Sequence, residues 1–183
     1  MRVVSLLPAA TEIVAALGCA DALVGVSHEC DHPPEVNRIP RVTHCEIHGG
    51  HLPSAAADRW VTETLATTGT LYTLDESLVR ALRPDVILTQ RLCDVCAVSY
   101  GSVAAFAETL PGPPRLASLE PSSVADIFRD VQTVAELLGV PERAVMDVMG
   151  WSNSAMVKRY AHVTARLRRD IADRLNSFFW TGK

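Results

Sequence analysis

Thiols and imidazoles are the side chains of this 183-residue chain best suited to chemistry, and two stretches concentrate them. Cys93 and Cys96 form a C-x-x-C pair just after the run DVILTQ, and Cys30 lies between His28 and His32. Thiolate and imidazole at these spacings suit a soft metal such as zinc, so Cys30, Cys93 and Cys96 are the candidate metal ligands. A C-x-x-C pair also lowers thiol pKa, which suits redox exchange. The competing reading is structural, because small cysteines are often buried as packing residues. It is the favoured one here, and five cysteines, an odd number, do not make a disulfide framework. His44, His48 and His51 follow no ligand spacing and read as solvated loop histidines. Tyr72 and Trp60 are of a type that packs on a flat ring ligand, but core packing is the stronger expectation for both.

Residues of this kind need a scaffold, and the chain alternates short apolar runs with helical patterns. RVVSLL (2–7) reads as a strand ended by Pro8, and Thr11 is expected to cap the helix EIVAALG, closed by Gly18. ALVGVS (22–27) reads as a second buried strand. The stretch 28–51 carries three prolines and is expected to hold no regular element. A helix over 53–66, a strand over 70–74 and the helix DESLVRALR with Asp75 near its start follow. DVILTQ (85–90) is the clearest strand, short and β-branched. A helix over 99–110 stops at PGPP, and RLASL (115–119) is a further strand. Ser122 or Ser123 caps a helix with Val124, Ile127, Val131, Val134 and Leu138 at helical spacing.

Strands alternating with helices predict an α/β fold: a single lobe with a mostly parallel sheet flanked by helices, then an all-α C-terminal tail. Ligands of such sheets sit beyond the carboxyl ends of the strands. Three loops leave those ends: LLPAATE, VSHECDHPP and LTQRLCDVCAVS. They offer Pro8, Ala9 and Thr11, then His28, Glu29, Cys30, Asp31 and His32, then Gln90, Cys93 and Cys96 as ligand-binding candidates.

Composition bounds the function. Hydrophobic residues make up 48% and charged ones 21%, in the range of a soluble globule. The net charge of -4 gives no general reason to expect nucleic-acid binding. The average hides a shift: residues 1–143 carry a net -8 and no lysine, whereas 144–183 carry +4. Such asymmetry points to segments of different origin. No apolar run is long enough to span a membrane. ALGC, ending at Cys19, faintly resembles a lipoprotein cleavage box, but Pro8 and Glu12 interrupt the apolar run that a signal needs. A cytoplasmic location is therefore expected, with a periplasmic or lipid-anchored one as the alternative.

The front segments VVSLLPAATEIVAALG, LVGVSHECDHPPEV, LYTLDESLVRALRPDVILTQRLCDVCAVS and SLEPSSVADIF, as an ordered set, resemble the helical-backbone solute-binding proteins of ABC transporters, closest to the iron/cobalamin branch. The resemblance covers residues 2–143. It implies two α/β lobes joined by one long helix, with a cobalamin-like ligand between them and transporter subunits as partners. Residues 1–120 would be the first lobe, and 123–143 would begin the connection to a second. That second lobe is missing from the pattern. A cleft with one wall buries roughly half of a ligand where small-molecule sites bury 70–90%, so weak binding is expected.

The final segment, AVMDVMGWSNSAMVKRYAHVTARLRRDIADRL, is similar to the C-terminus of tyrosine recombinases, the phage-integrase family. In that family a Gly-His/Trp-Ser signature precedes a nucleophilic tyrosine. Gly150, Trp151 and Ser152 match the signature and Tyr160 matches the nucleophile. A phenol with pKa near 10 needs cationic groups around the phosphate, which the family supplies from an upstream domain. Lys158 and Arg159 do not match those positions, so no catalytic residue is expected and Tyr160 is expected to be inactive. The tail also reads as an amphipathic helix, with Val163, Leu167, Ile171, Leu175 and Phe178 on one face. It suits docking or self-association, and weak, salt-sensitive DNA contact. Together these features predict a fusion joined near residue 144: a lobe over 1–143 and a helical tail over 144–183. The expected function is a small-molecule binding module. The alternative is a catalytically incomplete recombinase fragment.

Overall fold

The computed structural model describes residues 1–45, 53–68, 70–91 and 97–152. Cys93, Cys96, His48, His51 and Tyr160 lie outside the described residues, as does the helix expected over 163–178. The chain divides into two compact units, Met1–Glu120 and Pro121–Lys183.

The first unit is built on four parallel strands. They are β1 (Val3–Ser5), β2 (Leu23–Val26), β5 (Val86–Thr89) and β6 (Arg115–Ser118), in the order β2-β1-β5-β6. The central pair is in register from Val3 opposite Val86 to Ser5 opposite Leu88. All residues of β1 and β5 are buried, as expected of parallel strands covered on both faces. Helices α1 (Pro8–Ala16), α2 (Ser54–Thr68), α3 (Glu76–Leu82) and α4 (Tyr100–Glu108) fall between the strands in sequence. A core cluster gathers Val4, Leu6 and Ile87 of the sheet region with Val42, Val79, Val103 and Phe106. Gly25 of β2 packs tightly on this face. A Cβ there would meet Val42 Cγ1 at 2.7 Å and Leu82 Cδ1 at 2.9 Å.

Three sequence expectations are corrected. First, the stretch after β2 is not wholly irregular. Pro34–Arg38 forms a 3₁₀ turn, and β3 (Thr43–Cys45) pairs antiparallel with β4 (Tyr72–Leu74). The pairing partner lies about thirty residues downstream, beyond the reach of local pattern. Second, and for the same reason, the strand expected over 70–74 joins this separate two-stranded sheet instead of the parallel one. Third, Thr11 does not cap its helix. Helix α1 starts at Pro8, whose fixed φ and missing N–H suit the first helical position, and no side chain caps it.

The other caps follow the expected chemistry. Asp75 accepts the Leu78 N–H at the start of α3, and Ser99 accepts the Ser102 N–H at the start of α4.

In the second unit, α5 (Val124–Leu138) is capped by Ser123 and closed by Gly139 at φ 69°. Its buried face holds Val131, Val134, Ala135 and Leu137, whereas Val124 and Ile127 of the expected stripe are exposed. Asp126 is buried and accepts from the Ser122 and Ser123 hydroxyls, each at 2.8 Å. It also pairs with Arg129. Helix α6 (Glu142–Val148) follows, and the buried Trp151 meets Phe128 edge-on at 5.8 Å.

Candidate functional site

Because β1, β2, β5 and β6 are parallel, their carboxyl ends lie along one edge. The start of α1, which carries Pro8 and Ala9, and the loops carrying His28 and Gln90 all leave that edge. Pro8, Ala9, Glu29, Asp31 and His32 are exposed there, Gln90 and His28 are half-buried, and Thr11 and Cys30 are buried. The uncapped N-terminus of α1 opens at the same edge, which places its positive end there. Thr89, the last residue of β5, is fully buried, and its hydroxyl has no hydrogen-bond partner among the described residues.

Two of the expected loops meet through a buried polar cluster. Thr11 Oγ1 lies 3.1 Å from Cys30 Sγ, and it donates to either Ser5 Oγ at 2.9 Å or the Leu7 carbonyl at 3.1 Å. Burial pushes the Cys30 thiol up, and the Thr11 contact opposes this only in part. A raised thiol pKa disfavours the thiolate that metal binding and redox exchange require. Cys30 thus serves as a lock between α1 and the loop after β2. No group of three metal-ligating side chains occurs among the described residues.

His28 is the most connected of the candidates. Its Nδ1 lies 2.7 Å from Thr43 Oγ1, and the same oxygen accepts the His28 backbone N–H at 3.0 Å. Thr43 donates to Ser27 Oγ at 3.2 Å. Nε2 is buried, with Glu29 Oε1 3.2 Å away. The imidazole ring leans on Tyr72, with centroids 5.4 Å apart. Burial lowers the His28 pKa, Glu29 opposes this, and His44 and Arg41 add to it.

Sequence reasoning missed two residues at this edge. Arg41 donates to the carbonyls of Ser27 and Cys30 and to Asn37 Oδ1, so it clamps the loop that carries His28 and Cys30. A lone arginine in a proline-rich stretch gave no signal. Arg91, next to Gln90, lies over the Tyr100 ring at 3.8 Å and faces Glu120 at 3.9 Å. Of the aromatic candidates, Tyr72 also lines a cavity of about 240 Å³ with Thr70, Thr73, Glu76, Val98 and Ser102. That is smaller than the roughly 300–1,000 Å³ of most ligand pockets. Trp60 is half-buried on α2, and His44 is exposed.

Among solved structures, the vitamin B12-binding protein BtuF of Vibrio cholerae is similar at 20% identity and a TM-score of 0.54. The match covers 81% of this chain and 47% of that one. The α/β unit has the fold of one lobe of a periplasmic solute-binding protein. Two further matches agree with that lobe. A periplasmic heme-binding protein of Pseudomonas aeruginosa matches at 21% identity and TM-score 0.54, over 93% of this chain and 46% of that one. The heme-binding protein RhuT of Roseiflexus sp. RS-1 matches at 22% and 0.52, over 94% and 50%. The chain thus spans about half the length of the solved proteins it resembles. A curated integrase of Saccharopolyspora erythraea is 45% identical over 64 residues, which are 35% of this chain and 15% of that protein. No protein-family model matches.

Proposed function

We propose that the lobe binds a small molecule of the cobalamin or tetrapyrrole class at the carboxyl edge of its sheet. The observation that carries this reading is the meeting of the loops at Pro8 and His28 on one edge of a lobe whose fold neighbours bind vitamin B12 and heme. The exposed Pro8, Ala9, Glu29, Asp31 and His32 would meet the ligand, with Gln90 beside them. Thr11 and Cys30 would hold the loops from beneath. Transporter subunits are the partners this reading implies. Titration with cyanocobalamin, and separately with hemin, followed by absorbance and calorimetry, tests it. Saturable one-to-one binding weakened by Asp31→Ala and His32→Ala supports the site. Absence of binding to either ring removes it.

A second reading rests on the integrase identity. The matched length exceeds that of residues 144–183, so it includes positions upstream of residue 144. In this reading the tail makes weak contacts to DNA and Tyr160 is chemically idle. Binding to duplex DNA that falls steeply with added salt supports it.

A further inference from the structure

The edge opposite the proposed ligand loops carries an unexpected concentration of positive charge. The first 120 residues contain eight arginines against fourteen acidic residues. Two of the eight, Arg80 and Arg83, line a cavity with Asp85, and the backbones of Arg2 and Arg115 bond to Asp85 at the amino ends of β1, β5 and β6. The Arg2 backbone N–H donates to Asp85 Oδ2 at 2.6 Å, and the Arg115 N–H donates to the Asp85 carbonyl at 2.9 Å. The Leu82 carbonyl at the end of α3 is covered by Arg2 Nε at 2.6 Å. The negative end of this helix is therefore already partly satisfied.

A cavity of about 160 Å³ opens here, lined by Arg80, Arg83, Asp85, Leu110, Pro111 and Gly112 along with Pro84. It is too small for a macrocycle and of a size for one small hydrated ion. Arg80 is held in place: its guanidinium lies 5.4 Å above the Phe106 ring and donates to the carbonyl and hydroxyl of Thr109. Arg83 is different. Among the described residues no hydrogen bond or ion pair occupies its guanidinium. Its backbone takes φ 46°, ψ 63°, the left-handed form that glycine adopts freely at a helix end and arginine does not. Gly112, at φ 73°, has a backbone N–H with no partner among the described residues. A strained arginine with a free, fixed-charge fork next to an ordered arginine and an open N–H matches what an oxyanion needs.

We propose that this amino-end edge is a binding site for a phosphate-type oxyanion, held by Arg83, Arg80 and the Gly112 N–H. Asp85 is the carboxylate lining the cavity, and its engagement with the Arg2 N–H reduces its repulsion of the anion. Free phosphate and the phosphate of a monoester present the same group. The site is on the opposite edge from the cobalamin-type reading and does not depend on it.

The test follows thermal unfolding of the full chain in rising inorganic phosphate, against chloride at matched ionic strength. A ligand that binds only the folded state raises the midpoint with concentration. Phosphate is expected to raise the midpoint beyond chloride. Arg83→Gly relieves the left-handed strain, so this variant is expected to be at least as stable as the parent without phosphate. Its apparent phosphate dissociation constant is expected to rise by about tenfold or more, the loss of one charge-assisted contact. A purely structural cap would leave the phosphate response unchanged. Equal effects of phosphate and chloride, an undiminished response in Arg83→Gly, or a larger response to acetate than to phosphate would each overturn the proposal. A glucose phosphate in a further series tells a monoester site from one that admits the free ion alone.

Discussion

Thr11 Oγ1 touches Ser5, Leu7 and Cys30 at once, so one hydroxyl ties the start of α1 to the loop after β2. This arrangement predicts how the thiols behave. Cys30 is 1% exposed and its pKa is raised, whereas Cys19 and Cys45 are partly exposed. In the native protein near neutral pH, a thiol reagent should modify Cys45 before Cys30, with Cys30 reacting only on unfolding. Mass spectrometry of labelled peptides reads this, and early labelling of Cys30 would refute the lock. A raised pKa also means that the unfolded chain loses the Cys30 proton first as pH climbs. Its contribution to stability is complete below about pH 8.5 and falls as pH rises through the folded value. His28 has the opposite sign. Burial lowers its pKa, so the unfolded chain takes up the proton more readily than the native one. Stability from this group is full above about pH 6.5 and is lost as pH falls towards the folded value. A pH series of unfolding midpoints on wild type and His28→Asn should show a shallower acid decline in the variant. Parallel curves would mean that His28 does not carry the effect.

At the scale of elements, the contact of β2 with α3 is the most constrained. Gly25 leaves no room for a methyl group between Val42, Leu82 and Val4. Gly25→Ala should destabilise the protein by about 1–3 kcal/mol, the usual range for overpacking a close contact. A denaturant series measures the midpoint, and an unchanged value would show that β2 and α3 can part without cost. The positional logic extends to the site. The segment 40–42 runs along β2, where the Val26 N–H donates to the Pro40 carbonyl and the Val42 N–H to the Val26 carbonyl. This backbone pairing, with the Arg41 clamp, fixes the loop between Ser27 and Arg41 and so fixes where His28 and the exposed Asp31 and His32 stand.

For the whole molecule, the comparisons leave a lobe with about half the length of the proteins it resembles. We propose that this lobe, taken alone, binds a large ring weakly, because it offers the ligand one wall. Calorimetry with cyanocobalamin is expected to give a dissociation constant in the micromolar range or above. A nanomolar value would require a second wall, such as another copy of the chain. The tail is expected to be inert towards DNA strands. Each positioned donor around a developing phosphate charge contributes about 10²–10³ in rate, and Lys158 and Arg159 do not match the cationic positions that the resemblance implies. A nicked suicide substrate should yield no covalent protein–DNA adduct. An adduct that forms with the wild type and disappears in Tyr160→Phe would show that other residues supply those donors.

The sequence by itself determined what depends on neighbours along the chain. Short apolar runs between turns and helical patterns located β1, β2, β5 and β6, and Asp75 and Ser123 announced helix starts that the structure retains. The parallel arrangement followed from the alternation, and with it the shared edge for Pro8, His28 and Gln90. The start of α1 was misjudged because Pro8 and Thr11 both suit a helix N-terminus, and local chemistry does not rank them. Tertiary structure alone decided the rest. The pairing of Thr43 with Leu74 joins segments about thirty residues apart across α2, and no local pattern records which strand pairs with which. The match of Cys30 with Thr11 depends on the start of α1 meeting the loop after β2 at the sheet edge. The meeting of Arg80 and Arg83 with Gly112 at one cavity depends on a helix end and a distant turn converging. Composition showed an acidic segment there, because charge averaged along a chain does not record which residues folding brings together.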